Sequence, residues 1–254
     1  MYYTQGLYPL IKKQCLAKNT FDFTVYCPDI AQKAQAGQFV HLKANGYFLR
    51  RPISICEIDR EAKTLRLVFE VRGDGTKALS EIKENENVDM IAPLGNGFSV
   101  DKSKKAVCIG GGIGAPPMLE TVKSFSDSST AILGFKTAKA VILNEDFSRA
   151  VNTVVCTDDG SFGEKGFVTT ALENYLKENT ADIICACGPA PMLKAVAKIA
   201  REHHIPCEIS LEERMACGVG ACLGCACKVI QNGEEKLRHV CKNGPVFNSE
   251  EVVL

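Results

Sequence analysis

Residues 106–117 read Ala106-Val107-Cys108-Ile109-Gly110-Gly111-Gly112-Ile113-Gly114-Ala115-Pro116-Pro117. An apolar run of strand length meets a glycine-rich turn, and two prolines then open a stretch that keeps helical spacing to about Phe125. This is the strand–loop–helix unit from which parallel sheets are built. The turn matches G-x-G-x-x-A, whose glycines let a backbone approach a pyrophosphate at the start of a helix. Gly110, Gly111, Gly112 and Gly114 are therefore candidate nucleotide-binding residues. No acidic residue closes the next strand, because Phe135 is followed by Lys136. The ribose partner of a full dinucleotide fingerprint is thus missing, and a plain Rossmann dehydrogenase is disfavoured.

Working outward, strands are expected at 131–135, 153–156 and 182–186, with helices over 168–176 and 191–203, which makes the middle of the chain an α/β domain. The loop Cys187-Gly188-Pro189-Ala190-Pro191-Met192 falls at the carboxyl edge of that sheet, where open α/β folds bind ligands. Before residue 101 the pattern is β. Phe21–Cys27 and Leu65–Val71 alternate apolar and polar positions between Gly and Pro breaks, which suggests a barrel or sandwich. Beyond Glu208 regular periodicity stops. The expected division is 1–101, 102–207 and 208–254.

Composition narrows the class. Of 254 residues, 46% are hydrophobic and 24% charged, and 30 basic residues balance 30 acidic ones, so a folded chain is expected, without the positive surplus that nucleic-acid binding needs. No run of about 18 apolar residues suggests a membrane span, and the N-terminus lacks the regions of a signal peptide, so a cytoplasmic protein is expected. Thirteen cysteines, an odd number in such a chain, favour reduced thiols and a metal site over a disulfide framework.

Five of the thirteen lie in the last segment. Cys217, Cys222 and Cys225 spell C-x4-C-x2-C, and Cys241 is available as a fourth ligand, the spacing of plant-type 2Fe-2S proteins. Gly218, Gly220 and Gly224 would let a loop wrap the cluster and turn N–H groups to the sulfurs. The competing reading is a zinc ribbon on Cys222, Cys225 and Cys241 with Cys217 or His239. Cys227 points the same way as Cys225 if 226–230 is a strand, and is read as a non-ligand.

Two further motifs suit a flavin nucleotide. Arg51-Pro52-Ile53-Ser54 ends a β-type segment, and Gly73-Asp74-Gly75-Thr76 opens a helix with Ala78, Leu79 and Ile82 on one face. Free N–H groups near Thr76, close approach at Gly75 and a charge-assisted bond from Arg51 would suit a pyrophosphate, and Ser54 could donate to a ring atom. Asp158-Asp159 reads as loop and Glu212-Glu213 as a solvated stretch. His41, His203, His204 and His239 form no catalytic or metal-binding pattern and receive no role.

The order of these pieces resembles the ferredoxin-reductase family from about Phe21 to Phe247. The tail from Ser210 through Cys225, its closing segment His239–Phe247 and the segment Pro93-Leu94-Gly95-Asn96-Gly97-Phe98 resemble, more narrowly, the electron-transfer subunits of NAD-dependent dihydroorotate dehydrogenases. The resemblance implies an antiparallel β-barrel FAD domain, a parallel-sheet NAD domain and a small C-terminal 2Fe-2S subdomain. It places FAD at Arg51, Pro52, Ile53, Ser54, Val68, Phe69, Glu70, Gly75 and Thr76. It places NAD at the Gly110–Gly114 loop with Cys187 close to the nicotinamide, and the cluster on Cys217, Cys222, Cys225 and Cys241. It further implies an FMN-containing catalytic partner in a heterotetramer of two plus two, with electrons passing from that FMN to NAD+. Another NAD(P)H–flavin–2Fe-2S reductase is the alternative.

Overall fold

The computed structural model describes residues 3–254. Its first half is a barrel of six strands, β1 (Thr4–Ala17), β2 (Thr20–Tyr26), β3 (Phe39–Leu42), β4 (Arg51–Asp59), β5 (Thr64–Glu70) and β6 (Asn87–Leu94), with a one-turn helix α1 (Pro28–Ala31) after β2 and a short α2 (Asp74–Ser80) after β5. The strands close in the order β1-β2-β5-β4-β3-β6, every pair antiparallel. Closure removes exposed sheet edges. Inward side chains such as Phe23, Leu42, Ile55, Leu67 and Met90 fill the interior completely, and Leu79 and Ile82 from the α2 region cap it, as their helical spacing predicts.

The second half is built from β7 (Ala106–Gly111), α3 (Pro116–Lys123), β8 (Thr130–Phe135), α4 (Asn144–Ala150), β9 (Asn152–Thr157), β10 (Glu164–Lys165), α5 (Val168–Glu178), β11 (Ile183–Cys187), α6 (Ala190–Glu202) and β12 (Cys207–Ser210). A hairpin β13 (Ala226–Gln231) and β14 (Glu234–His239), a turn of helix α7 (Val240–Asn243) and β15 (Val246–Asn248) complete the chain. The large sheet runs β10-β9-β8-β7-β11-β12-β15, parallel except for β15 at its edge. Strands buried on both faces explain the apolar runs. In β7, Ala106 and Cys108 join the layer under α3 and α4, while Val107 and Ile109 join the layer under α5 and α6. Because the chain leaves β7 toward β8 and returns at β11 on its other side, the carboxyl ends of β7 and β11 form a topological switch point.

The barrel packs on this sheet through Cys56, Val68 and Phe98, which belong to the α3–α4 core layer. Across the same contact Arg66 pairs with the buried Asp22 at 2.8 Å and with Asp146 of α4 at 3.3 Å. Glu120 of α3 accepts the Ile58 N–H at 3.0 Å, and its burial raises the carboxyl pKa above the ordinary range. These buried polar contacts fix the barrel's angle on the sheet and hence the shape of the groove between them. Residues 208–210 and 246–248 are strands of the large sheet, so the cysteine-bearing segment begins and ends inside it.

Candidate functional site

An apolar cleft opens between the barrel and the chain leaving β12. Pro52, Ile53 and Ser54 of β4, Val68, Phe69 and Glu70 of β5, and Thr76 line one wall. The opposite wall is Ser210, Leu211, Met215 and Pro245, with Phe39 and Ile113 between the two. Pro52, Ser54, Val68 and Glu70 face this cleft from adjacent antiparallel strands, while Ile53 and Phe69, at the alternate positions, belong to the barrel core and reach the cleft at its floor. A broad apolar slot with the Ser54 hydroxyl at its edge fits a flat ring system with polar rim atoms.

Arg51, Gly75 and Thr76 come together at one end of this cleft. A methyl group on Gly75 would fall on the Arg51 guanidinium, so the glycine makes room for the arginine. The Thr76 hydroxyl is already engaged: it accepts the N–H groups of Arg72 (2.9 Å) and Gly73 (3.3 Å) and donates to the Gly73 carbonyl (3.0 Å). Its work is therefore to close the start of α2, half of a capping box, which holds Gly75 over Arg51.

A second cleft lies at the switch point. Gly111 at the end of β7 and Gly112, Ile113 and Gly114 in the turn after it line this cleft, with Gly188 and Pro189 from the loop after β11 and Lys136 and Thr137 from the chain just after β8. Gly110 lies within the strand, behind this surface, where it admits Ala115. Gly114 packs on the Cys187 carbonyl and Gly111 on Met192, while the Cβ position of Gly112 is open space. The loop thus offers bare backbone to a ligand, as a pyrophosphate requires. The two clefts share Glu70, Arg72, Ile113 and Glu212. Arg72 bridges Glu70 (2.9 Å) and Glu212 (3.8 Å) at their junction, so Glu212, read from sequence as merely solvated, is part of the cleft wall.

Behind the first cleft, the cysteines meet in pairs. Cys217 contacts Cys222, and Cys225 contacts Cys241. Main-chain donors aim at their sulfurs: Ala221 N–H (3.3 Å) and Cys222 N–H (3.4 Å) at Cys217 Sγ, and Gly220 N–H (3.1 Å) at Cys241 Sγ. Burial works against the Cys217 thiolate, yet the Val219, Cys222 and Ala221 N–H groups outweigh it and bring the pKa down to about 6. Among the described residues no three His, Cys, Asp or Glu side chains gather around one ion. Two adjoining thiol pairs with main-chain N–H donors turned on their sulfurs suit a dinuclear iron–sulfur cluster. Cys225 and Cys241 are buried with Phe39 and Val240, while Cys217 and Cys222 lie nearer the surface beside the exposed Leu223.

Comparison with known proteins agrees with this geometry. Residues 212–253 match the iron–sulfur cluster binding domain of dihydroorotate dehydrogenase B, and residues 108–198 an oxidoreductase NAD-binding domain. The dihydroorotate dehydrogenase B (NAD(+)) electron transfer subunit of Geobacillus sp. (strain WCH70) is 39% identical over 254 residues, covering 96% of this chain and 97% of the relative. That of Streptococcus mutans serotype c is 42% identical over 234 residues, covering 89% and 90%. This chain belongs to the dihydroorotate dehydrogenase B electron-transfer subunit family. Among solved structures, a chain of an NADH-dependent reduced ferredoxin-NADP oxidoreductase superposes with a TM-score of 0.86 at 32% identity, over 98% of this chain and 90% of that one. A ferredoxin NADP+ reductase from Neisseria gonorrhoeae with bound FAD and NADP shares the fold at a TM-score of 0.65 and 17% identity, over 80% and 92%.

The two stretches that resemble this electron-transfer subunit family outside the cysteines turn out to be one contact. Asn96 donates its side-chain amide to the carbonyls of Lys242 (3.3 Å) and Asn243 (2.9 Å), and Gly95 packs against Pro245. The segment after β6 therefore straps the barrel to the cysteine-bearing tail. Cys187 lines neither cleft. It is 2% exposed beneath Ser210, and burial pushes its thiol up to about 12, Glu212 adding to the shift and the Ser210 hydroxyl opposing it. Cys227 lies in β13 opposite Arg238, and burial and the Glu213 charge raise its pKa. Sequence reasoning gave Phe39, Leu211, Met215 and Pro245 no place in the cleft because they come from three separate segments whose meeting no local pattern marks.

Proposed function

We propose that this chain is the NAD-linked half of a two-subunit enzyme, taking electrons from an FMN-containing subunit that oxidises dihydroorotate and delivering them to NAD+ in UMP synthesis in the cytoplasm. The observation that carries this reading is the adjacency of three sites: the paired cysteines, the apolar cleft and the glycine-lined cleft follow one another, with Phe39 between the first two and Arg72 between the last two. When bound, a 2Fe-2S cluster exchanges single electrons, a nicotinamide exchanges hydride, and a flavin does both.

Pro52, Ile53, Ser54, Val68, Phe69 and Glu70 would hold the flavin ring, with Arg51, Gly75 and Thr76 shaping the pyrophosphate end. Gly111, Gly112 and Gly114 would carry NAD, with Gly110 supporting them from the strand. Cys187 would act through its carbonyl, which seats Gly114, and its buried thiol would stay protonated. Cys217, Cys222, Cys225 and Cys241 would hold the cluster. The Cys217–Cys222 side, with Leu223 69% exposed, would face the catalytic subunit in an assembly of two plus two. The dihydroorotate site would belong to that partner.

Anaerobic isolation of the native complex, assayed for dihydroorotate-dependent NAD+ reduction, tests this. Activity together with a second flavoprotein chain supports it. Reduction of acceptors from NAD(P)H with no response to dihydroorotate would instead favour the reductase reading, to which the full-length likeness to the ferredoxin-NADP oxidoreductase chain lends support.

A further inference from the structure

His41 is the residue that the sites above leave unexplained. It stands on β3, two residues from Phe39, and is 0% exposed. Neither ring nitrogen has a partner at full hydrogen-bond geometry, although the main chain of Arg50 and of Cys217 lies close enough to favour a proton on the ring. Buried polar atoms left short of partners are rare and costly, so an apolar side chain of the same size would serve a purely space-filling role better. The ring is instead fitted to the cysteine loop. A Cβ on Gly218 would fall on His41 Nδ1, and Gly218 has φ +70°, a left-handed conformation that suits glycine. The main chain of Cys217 and of Arg50 lies beside the ring, and the Arg50 guanidinium donates to the His41 carbonyl (3.3 Å) and pairs with the Asp89 carboxylate (2.8 Å).

We propose that His41 is a positioning residue for the cluster: its imidazole seats the Cys217–Gly218 backbone on β3 and so sets the orientation of the Cys217 sulfur and the environment in which the cluster changes oxidation state. β3 then supports both cysteine pairs, Phe39 lying against the Cys225–Cys241 side and His41 against the Cys217 side. A ring with an N–H beside the main chain of a ligand can fix that ligand's direction in a way that shape alone cannot.

The inference rests on the cluster reading of the four cysteines, so iron and sulfide are first measured on the unaltered complex; their absence would overturn both readings. His41→Leu and His41→Asn are then compared by redox titration with electron paramagnetic resonance. Leu should keep iron and sulfide but change the reduced-to-oxidised ratio at the wild-type midpoint about three- to tenfold, a tenfold change being 59 mV for one electron. It should also alter the resonance of the reduced cluster. Asn, which keeps a donor, should restore most of both. An unmoved midpoint and resonance in His41→Leu, or equal shifts in Leu and Asn, would overturn the proposal while leaving the cluster reading intact. If His41→Leu fails to fold, Gly218→Ala with His41 retained is the deciding variant. It should reproduce the altered resonance, and a wild-type resonance would overturn the proposal.

Discussion

The glycine loop at the end of β7 and the cysteine loop after β12 both depend on glycine but use it mainly for different reasons. Gly110, Gly111 and Gly114 keep ordinary φ angles, and what matters is the missing Cβ, whose place is taken by Ala115, Met192 and the Cys187 carbonyl. Gly218 and Gly220 take φ of +70° and +80°, and what matters is handedness, which turns successive N–H groups toward sulfur. The first loop is mainly a packing solution, Gly112 at φ +56° with open space at its Cβ being its one conformational glycine, and the second is mainly a conformational one, although Gly218 also makes room for His41. A substitution in the first should therefore disturb the sheet, and one in the second should disturb the ligands.

The largest effect is expected for Cys222→Ser, which removes one member of the outer pair. Iron, sulfide and the visible absorption of the cluster should be lost while the flavin cleft stays formed, and a full iron and sulfide complement would break the pairwise assignment. Gly114→Ala places a methyl group on rigid backbone, so thermal or urea unfolding should show about 3 kcal/mol of destabilisation. NAD titration should then show at least about tenfold weaker binding. Gly220→Ala meets the base of the Lys242 side chain as well as its flexible stem, and its cost should be at least the left-handed penalty of about 1–2 kcal/mol, with an altered cluster spectrum and unchanged NAD affinity. Equal effects of the two alanines on NAD affinity would erase the distinction. The smallest effect is expected for Thr76→Val, about 1 kcal/mol of lost capping, seen as roughly fivefold weaker flavin retention on dilution. Unchanged flavin occupancy would show that the start of α2 takes no part in holding it.

What the sequence made legible follows the same division. The β7–glycine–α3 unit could be read directly because strand and helix periods meet at a sharp break, and β11 and α6 followed for the same reason. The cysteine spacing was legible because ligand chemistry restricts it. The hairpin of β13 and β14 was not, since Lys228, Glu234, Glu235, Lys236 and Arg238 leave little alternation on a two-stranded ribbon that is largely solvated. Helix α4 was hidden because Phe147 is its one buried side chain. The far wall of the flavin-type cleft was hidden for a topological reason: Ser210, Met215 and Pro245 become neighbours only through the pairing of β12 with β15. His41 looked like an ordinary strand residue because nothing local marks a side chain whose partner is Gly218.

The pairing of β12 with β15 also bears on how the cysteine-bearing segment is held. Ser210 lies opposite Val246, so the stretch that carries Cys217, Cys222, Cys225 and Cys241 is a bight whose mouth is stitched shut by main-chain hydrogen bonds. The sheet thereby meets part of the entropy of bringing Cys241 back toward Cys217. A chain truncated before β15 would lose that stitching and leave β12 with a bare edge, so β15 acts as the clasp of the cysteine loop.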